Sequence, residues 1–318
     1  MEQRPFGRLG TVSALTLGGG GTGQVWGPTT REESIATVRE AVDSGIDFLD
    51  LAPSYGVGEA ENVIGEAFAG RLPDGVRVST KRNLADTDPA GIPAALEESL
   101  AESLKRMRLD RVDLFFLHNQ IVTDADAARG VGGTPRSVFL ETVRPAFDAL
   151  VADGRVGAWG ITGIGEPGAV IETLGDDHPP AAVQCIANLL DSPGAMNAYD
   201  GSPRPRDIIA AAVAAGVAVM GIRAVQAGAL TDGFDREVPS DHADARDFAR
   251  AEPFRAIAAE LGVTPAFLAH RYALSIPGVS TVVLGVKNRT ELRECVAAAD
   301  AGPLDVDLVA RIDRAVAP

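Results

Sequence analysis

The 318-residue chain is 46% hydrophobic and 23% charged, which supplies one large core or two medium ones and excludes a disordered chain. Its 29 basic residues stand against 44 acidic ones, and a net charge of −15 lacks the basic footprint of a nucleic-acid binder and would repel anionic lipids. Two cysteines, Cys185 and Cys295, and four scattered histidines, His118, His178, His242 and His270, give no metal-ligand spacing and no disulfide framework, so no metal is expected.

The N-terminus, MEQRPFGRLG, has no signal-peptide apolar stretch, and no later run approaches the length of a membrane span; a cytoplasmic protein is expected. Val12–Leu17 reads as the first strand. Thr30 then opens a helix, with Glu33 completing a capping box. Strands at Phe48–Leu51, Val76–Thr80 and Val112–Leu117 alternate with helices over about 60–69, about 92–107 and about 138–153. Strands at Ala158–Thr162, Ala182–Ala187, Val217–Ile222 and Thr281–Leu284 follow. Helices over 169–174, about 208–215, 254–261, 265–275, 291–299 and about 305–316 accompany them.

Eight strand–helix units without a composition break predict a single (β/α)₈ TIM barrel over residues 1–318. The alternative is a doubly wound open sheet, because GGGGTG, Gly18 to Gly23, satisfies a dinucleotide-binding pattern after a strand. That pattern must open directly into a helix, and here QVWGP intervenes, so the run reads as a flexible loop at a barrel mouth. Long loops are expected after strand 4 (about 119–136) and strand 7 (about 223–253), the latter an acidic connection.

In a barrel, chemistry sits at the C-terminal strand ends. Strand 2 ends in Asp50, with Tyr55 in the following loop; strand 3 ends in Lys81 and strand 4 in His118. Each has a plain structural alternative: a turn cap, a packed ring, a snorkelling lysine, a core histidine. Lys81 is one of only three lysines, with Lys105 and Lys287, in a chain that otherwise uses arginine, and a compact ammonium does what a planar fork cannot. Together the four suggest proton delivery to a carbonyl. A tyrosine near pKa 10 holds its proton tightly, a nearby ammonium lowers that value, a carboxylate keeps the ammonium charged and aimed, and a histidine orients the substrate oxygen or shares the proton.

This set resembles the aldo-keto reductases of bacterial type, whose tetrad is Asp, Tyr, Lys and His. FLDLAPSYG is similar to their Asp-x-Ala-x-x-Tyr-Gly segment, STK to their Thr-Lys strand end, VDLFFLH to their fourth strand with its histidine, and GEAENVIGEAF to the helix that follows the tyrosine. The resemblance spans about 9–299. It implies a nicotinamide cofactor extended across the barrel mouth and direct hydride transfer between an aldehyde or ketone and the alcohol, with Tyr55 as acid–base group.

The segment VVLGVKNRTELREC at strand 8 carries Gly285, Lys287 and Arg289, positive charge where barrels bind phosphate. By resemblance it holds the adenosine phosphate, with Lys287 on a 2′-phosphate, so NADP(H) is the first choice and NAD(H) the alternative. Thr162 stands, followed by a glycine, where the family has Ser-Asn, and Gln184 fits the family's carboxamide glutamine. Ile222 replaces a stacking tyrosine, and Arg223 either contacts a pyrophosphate or is exposed. Glu291 and Cys295 occupy adenine-side positions, and a carboxylate near a ribose 2′-hydroxyl favours NAD. Trp26 resembles a pocket-lining tryptophan, and a 5% aromatic content suits sugars or small polar carbonyls better than steroids. Two other readings stay open: a non-catalytic NADP(H)-binding regulatory subunit, and a non-redox lyase or isomerase. His178, His242 and His270 read as surface or structural, and Lys105 as a solvated helix end. Oligomeric state is not legible.

Overall fold

The computed structural model describes residues 1–85, 87–196, 201–234 and 236–317. Asp235, in the loop predicted after strand 7, and Pro318, at the end of the predicted domain, lie outside the described residues. Eight parallel strands close into a barrel in chain order: β1 (Leu15–Gly18), β2 (Phe48–Asp50), β3 (Arg77–Arg82), β4 (Val112–Leu117), β5 (Val156–Gly163), β6 (Ala182–Ile186), β7 (Ala218–Ile222) and β8 (Thr281–Leu284). The open-sheet alternative is thereby excluded. Helices α1 (Arg31–Asp43), α2 (Glu59–Ala67), α3 (Ile92–Met107), α4 (Arg144–Ala152), α5 (Pro167–Leu174), α6 (Pro205–Ala214), α7 (Ala243–Arg250), α8 (Glu252–Glu260), α9 (Pro265–Ser275), α10 (Arg289–Asp300) and α11 (Val306–Val316) complete the described long elements. Only the Thr30 half of the capping box forms: Glu33 N donates to Thr30 Oγ1 at 3.1 Å, while the Glu33 carboxylate turns to Arg289.

Alternation along each strand sorts the residues. Phe48, Leu114, Phe116, Ala182, Ala218 and Met220 form one buried cluster, and Phe6 and Val12 join it. Gly160 leaves room for this packing, since a Cβ there would lie 2.3 Å from the Phe116 ring. Two or four residues further along the same inward rows come Asp50, Lys81, His118, Thr162, Gln184 and Ile222. The barrel interior is therefore apolar below and polar at its C-terminal end, which is where a TIM barrel carries chemistry.

The predicted first strand, Val12–Leu17, is in fact two. Thr11–Ser13 pairs antiparallel with Gln3–Pro5, and only Leu15–Gly18 enters the barrel. Ser13 marks the break, donating its hydroxyl to Leu15 O at 2.6 Å and its amide to Asp47 at 3.0 Å. The glycine run is not a flexible loop either: Gly19–Thr22 is a buried helical turn. A Cβ on Gly21 would lie 1.8 Å from Val286 O, so only glycine lets this turn sit flush on the strand-8 end. The long loops also carry structure. The one after β4 holds a short ladder between Ile121–Val122 and Thr134–Pro135 and a helical turn at Asp124–Ala128, and the one after β7 contains α7.

Candidate active site

Asp50 ends β2 and Lys81 lies near the end of β3, on adjacent strands whose inward faces bring the two side chains together. Lys81 Nζ donates to Asp50 Oδ2 at 2.7 Å, to Leu51 O at 2.8 Å and to the Tyr55 hydroxyl at 3.2 Å. Both charged side chains are buried. Tyr55 sits in the turn after β2, its ring edge-on to His118 with centroids 5.7 Å apart. Gly19 packs on that ring, since a Cβ there would lie 3.2 Å from Tyr55 Cδ2. The glycine turn thus touches Tyr55 on one side and strand 8 on the other.

Burial alone would lower the Lys81 pKa, but Asp50 and Tyr55 outweigh it, and the ammonium is held charged. For Tyr55 the balance corrects the sequence expectation of a lowered value. Burial raises the phenol and Asp50 adds to the rise; Lys81 pulls downward without reversing it, so the phenol keeps its proton at neutral pH. Burial, with the Lys81 charge behind it, brings His118 down to about 3, making it a neutral imidazole.

Asp50 has further partners that the sequence did not reveal. Ser79 Oγ and Gln184 Nε2 each donate to Asp50 Oδ1 at 2.7 Å. Ser79 lies two residues before Lys81 on the same face, a relationship legible from strand period alone. Gln184 therefore commits its amide nitrogen to Asp50, leaving its Oε1 for another donor. Thr162 Oγ1 donates to Leu117 O at 2.9 Å. Behind β3, on the opposite face from Lys81, Glu61 is fully buried. It accepts from Thr80 Oγ1 at 2.5 Å and from Arg106 Nε at 2.6 Å, tying α2 to β3 and α3. A carboxylate on the apolar face of a helix was the available sequence clue.

The residues expected around a cofactor separate into two groups. Ile222 is half-buried at the end of β7. Trp26 lies across the mouth, where a Cβ on Gly285 would stand 3.2 Å from its indole nitrogen. Lys287 leads into α10, whose N-terminus Asn288 caps by accepting from Glu291 N at 3.0 Å. The Lys287 ammonium lies 2.9 Å from Glu291 Oε1. The amides at this helix start are answered within the protein, Lys287 N by Glu291 Oε2 at 2.8 Å and Arg289 N by Glu33 Oε1 at 3.0 Å, so a phosphate here would have to displace both carboxylates.

The other three differ from expectation. Arg289 is held by Glu33 at 2.9 and 3.1 Å on the outer surface. Arg223 is not exposed: it is largely buried, donating to Gln226 Oε1 at 2.8 Å and to Asp244 Oδ1 at 3.2 Å. Cys295 is not open to solvent. It is buried with Leu292, Ala298 and Ala299 on the inner face of α10, with Sγ 3.5 Å from His270 Nε2. Burial raises its thiol well above the ordinary value, so it is inert packing. His270 is structural and buried, and Lys105 is exposed, paired at 3.9 Å with Glu102. Among the described residues no cluster of His, Cys, Asp or Glu is placed to hold a metal, and no helix is long and apolar enough to cross a membrane.

Comparison with known proteins places this geometry in context. Residues 14–317 match the Aldo/keto reductase family. L-galactose dehydrogenase of Arabidopsis thaliana is 26% identical over 94% of this chain and 88% of its own length. Pyridoxal 4-dehydrogenase of Microbacterium luteolum is 27% identical over 93% and 92%. Among solved structures, the glycerol dehydrogenase of Gluconobacter oxydans superposes with a TM-score of 0.74 at 21% identity, covering 99% of this chain and 95% of its own. An aldo-keto reductase from Klebsiella pneumoniae in complex with NADPH gives 0.71 at 24% identity, covering 100% and 96%.

Proposed function

The chain belongs to the aldo/keto reductase family of oxidoreductases, and from that premise we propose that it interconverts a small polar aldehyde or ketone with the corresponding alcohol, Tyr55 being the acid–base group. The observation that carries the reading is the Tyr55 hydroxyl 3.2 Å from an ammonium that is itself 2.7 Å from a buried carboxylate.

NADP(H) is the preferred cofactor of this reading and NAD(H) the alternative; when bound, it supplies or accepts the hydride at the carbonyl carbon. The protein's own residues manage the proton. In reduction, Tyr55 donates its hydroxyl proton to the substrate oxygen as that oxygen gains charge. Lys81 stabilises the phenolate left behind, and Asp50 keeps Lys81 charged and aimed. His118, neutral, hydrogen-bonds the substrate oxygen and steers it toward Tyr55. Gln184 Oε1 and Thr162 would hold the carboxamide side of the cofactor, Ile222 would line the nicotinamide side, and the end of β8 with Lys287 and the α10 N-terminus would take the phosphate. In oxidation, the same steps run in reverse from the phenolate.

The relatives named L-galactose dehydrogenase and, over 47% of this chain, D-threo-aldose 1-dehydrogenase favour sugars within the polar-carbonyl class. Trp26, at the mouth, lines the substrate side. The test is nicotinamide absorbance over time with NADPH or NADH against a panel of aldehydes, ketones and sugars, and with the oxidised cofactors against aldoses and alcohols. Substrate-dependent change in either direction supports the reading. Cofactor binding without turnover across both panels contradicts it in favour of a binding subunit.

A further inference from the structure

A cavity of about 610 Å³ lies outside the barrel, among α6, α9 and α11 and the loop that follows β6; none of Asp50, Tyr55, Lys81 or His118 lines it. Its volume is that of a small-molecule site. Leu190, Ile276, Val309 and Val316 give it an apolar wall. Arg206, also on the lining, donates from Nε to Asp191 at 2.6 Å and from Nη2 to the Tyr272 hydroxyl at 3.2 Å, while Tyr272 donates its own hydrogen to Asp313 at 2.5 Å. Those four groups satisfy one another. Arg250 stands apart. It spans two edges of the cavity, Nε to Val316 O at 3.0 Å and Nη1 to Leu190 O at 3.1 Å, and among the described residues no carboxylate lies within ion-pair distance of it. A half-buried cation answered only by carbonyl dipoles, beside an apolar wall, suits a monoanion with an apolar body.

We propose that this cavity is a second ligand site, for a small amphipathic carboxylate with its head on Arg250 and its tail along the apolar wall, and that occupancy tightens the turn after β7 through α7. Arg250 is the last residue of α7, and the same eight-residue helix carries Asp244 and Asp247. Asp244 Oδ1 accepts from Arg223 Nη2 at 3.2 Å, and Asp247 Oδ2 accepts from Gln226 Nε2 at 2.6 Å. Both donors belong to the turn after β7, where Arg223, Gln226 and Ala227 hold φ of +59°, +46° and +50°. Such backbone persists only where its surroundings enforce it. A parallel tie runs from the cavity through Arg206 Nη2 to Asn188 O at 3.3 Å and from Asn188 Nδ2 to Arg223 O at 3.2 Å. A ligand that fixes Arg250 between the cavity walls fixes the helix that pins the turn, and opening of the turn becomes rarer.

The experiment titrates hexanoate, with hexanol as its neutral counterpart, into the protein without cofactor, by calorimetry. Amide hydrogen exchange over residues 223–230 is followed with and without saturating hexanoate. Saturable one-to-one binding of hexanoate is expected, with hexanol about tenfold weaker, the loss of one charge-assisted hydrogen bond. Arg250→Gln is expected to weaken hexanoate by about the same factor. Val309→Trp, which fills the cavity from another lining position and leaves Arg250 in place, is expected to abolish binding. Exchange over 223–230 is expected to slow about threefold on binding. No saturable binding, equal binding of hexanol, or binding unaffected by Val309→Trp overturns the site, and unchanged exchange overturns the coupling. Every readout is independent of the cofactor and of turnover, so failure of the proposed catalytic reading leaves this test intact.

Discussion

Lys81 and Asp50 form a buried ion pair, Nζ to Oδ2 at 2.7 Å, with side-chain exposures of 0% and 2%. Two charges taken out of water survive only if each is fully answered. The ammonium has Leu51 O and Tyr55 as further partners, and the carboxylate has Ser79 and Gln184. Breaking such a pair from one side leaves an uncompensated buried charge, at a cost of about 3–5 kcal/mol. Asp50→Asn should lower unfolding stability by roughly that amount, and turnover by about a hundredfold, because the ammonium loses the partner that keeps it charged. Urea denaturation and steady-state kinetics check the two effects separately.

The direction of the Tyr55 shift predicts an asymmetric pH dependence. Burial holds the phenol protonated above its ordinary range, so the acid proposed for carbonyl reduction is present from pH 6 to 9. The phenolate proposed as the base for alcohol oxidation is the minor form there, and it grows with pH. His118, neutral above about 3, adds no ionisation in this window. Reduction should therefore be flat over this range and oxidation should climb throughout it. Kcat profiles in both directions decide the matter, and an oxidation rate already level by pH 7 would contradict the burial argument.

Much of this was legible in the sequence because strand period and strand ends leave plain marks. The apolar runs gave seven of the barrel strands to within two residues at each end, and Asp50, Lys81 and His118 stood out as polar residues closing such runs. Val12–Leu17 misled because an apolar run cannot show where a chain leaves one sheet for another; the break depends on Ser13 meeting Asp47, a distant contact. Cys295 was recoverable: Leu292, Cys295 and Ala299 follow helical spacing and mark a core face. The net rise of the Tyr55 pKa was not, since it depends on how deeply the site is buried rather than on which residues are present.

At strand 8, Lys287 is the cation proposed to meet a 2′-phosphate, and Glu291 pairs with it at 2.9 Å. Lys287→Ala should weaken NADP⁺ by about tenfold and NAD⁺ by much less, the worth of one charge-assisted hydrogen bond. Glu291→Gln, which removes the carboxylate charge 2.9 Å from the ammonium, should strengthen NADP⁺. Fluorescence titration of both cofactors checks this, and equal losses in Lys287→Ala would remove the lysine from that role.

Gly21 supports the mouth by close backbone approach. A Cβ there would lie 1.8 Å from Val286 O, where backbone cannot yield cheaply. Gly21→Ala should lower the melting temperature and weaken cofactor binding together. Gly132→Ala, with open space around it, should change neither. Thermal unfolding of the two variants side by side tests the close-approach argument.

The most direct test of the account is Tyr55→Phe, measured for cofactor binding and for turnover on any carbonyl or sugar that the wild type accepts. The substitution removes one oxygen and leaves the ring against Gly19 and His118. The account predicts cofactor affinity within about twofold of wild type and turnover lower by roughly 10²–10⁴-fold, the worth of a positioned general acid. Turnover retained within tenfold of wild type would contradict Tyr55 as the proton donor.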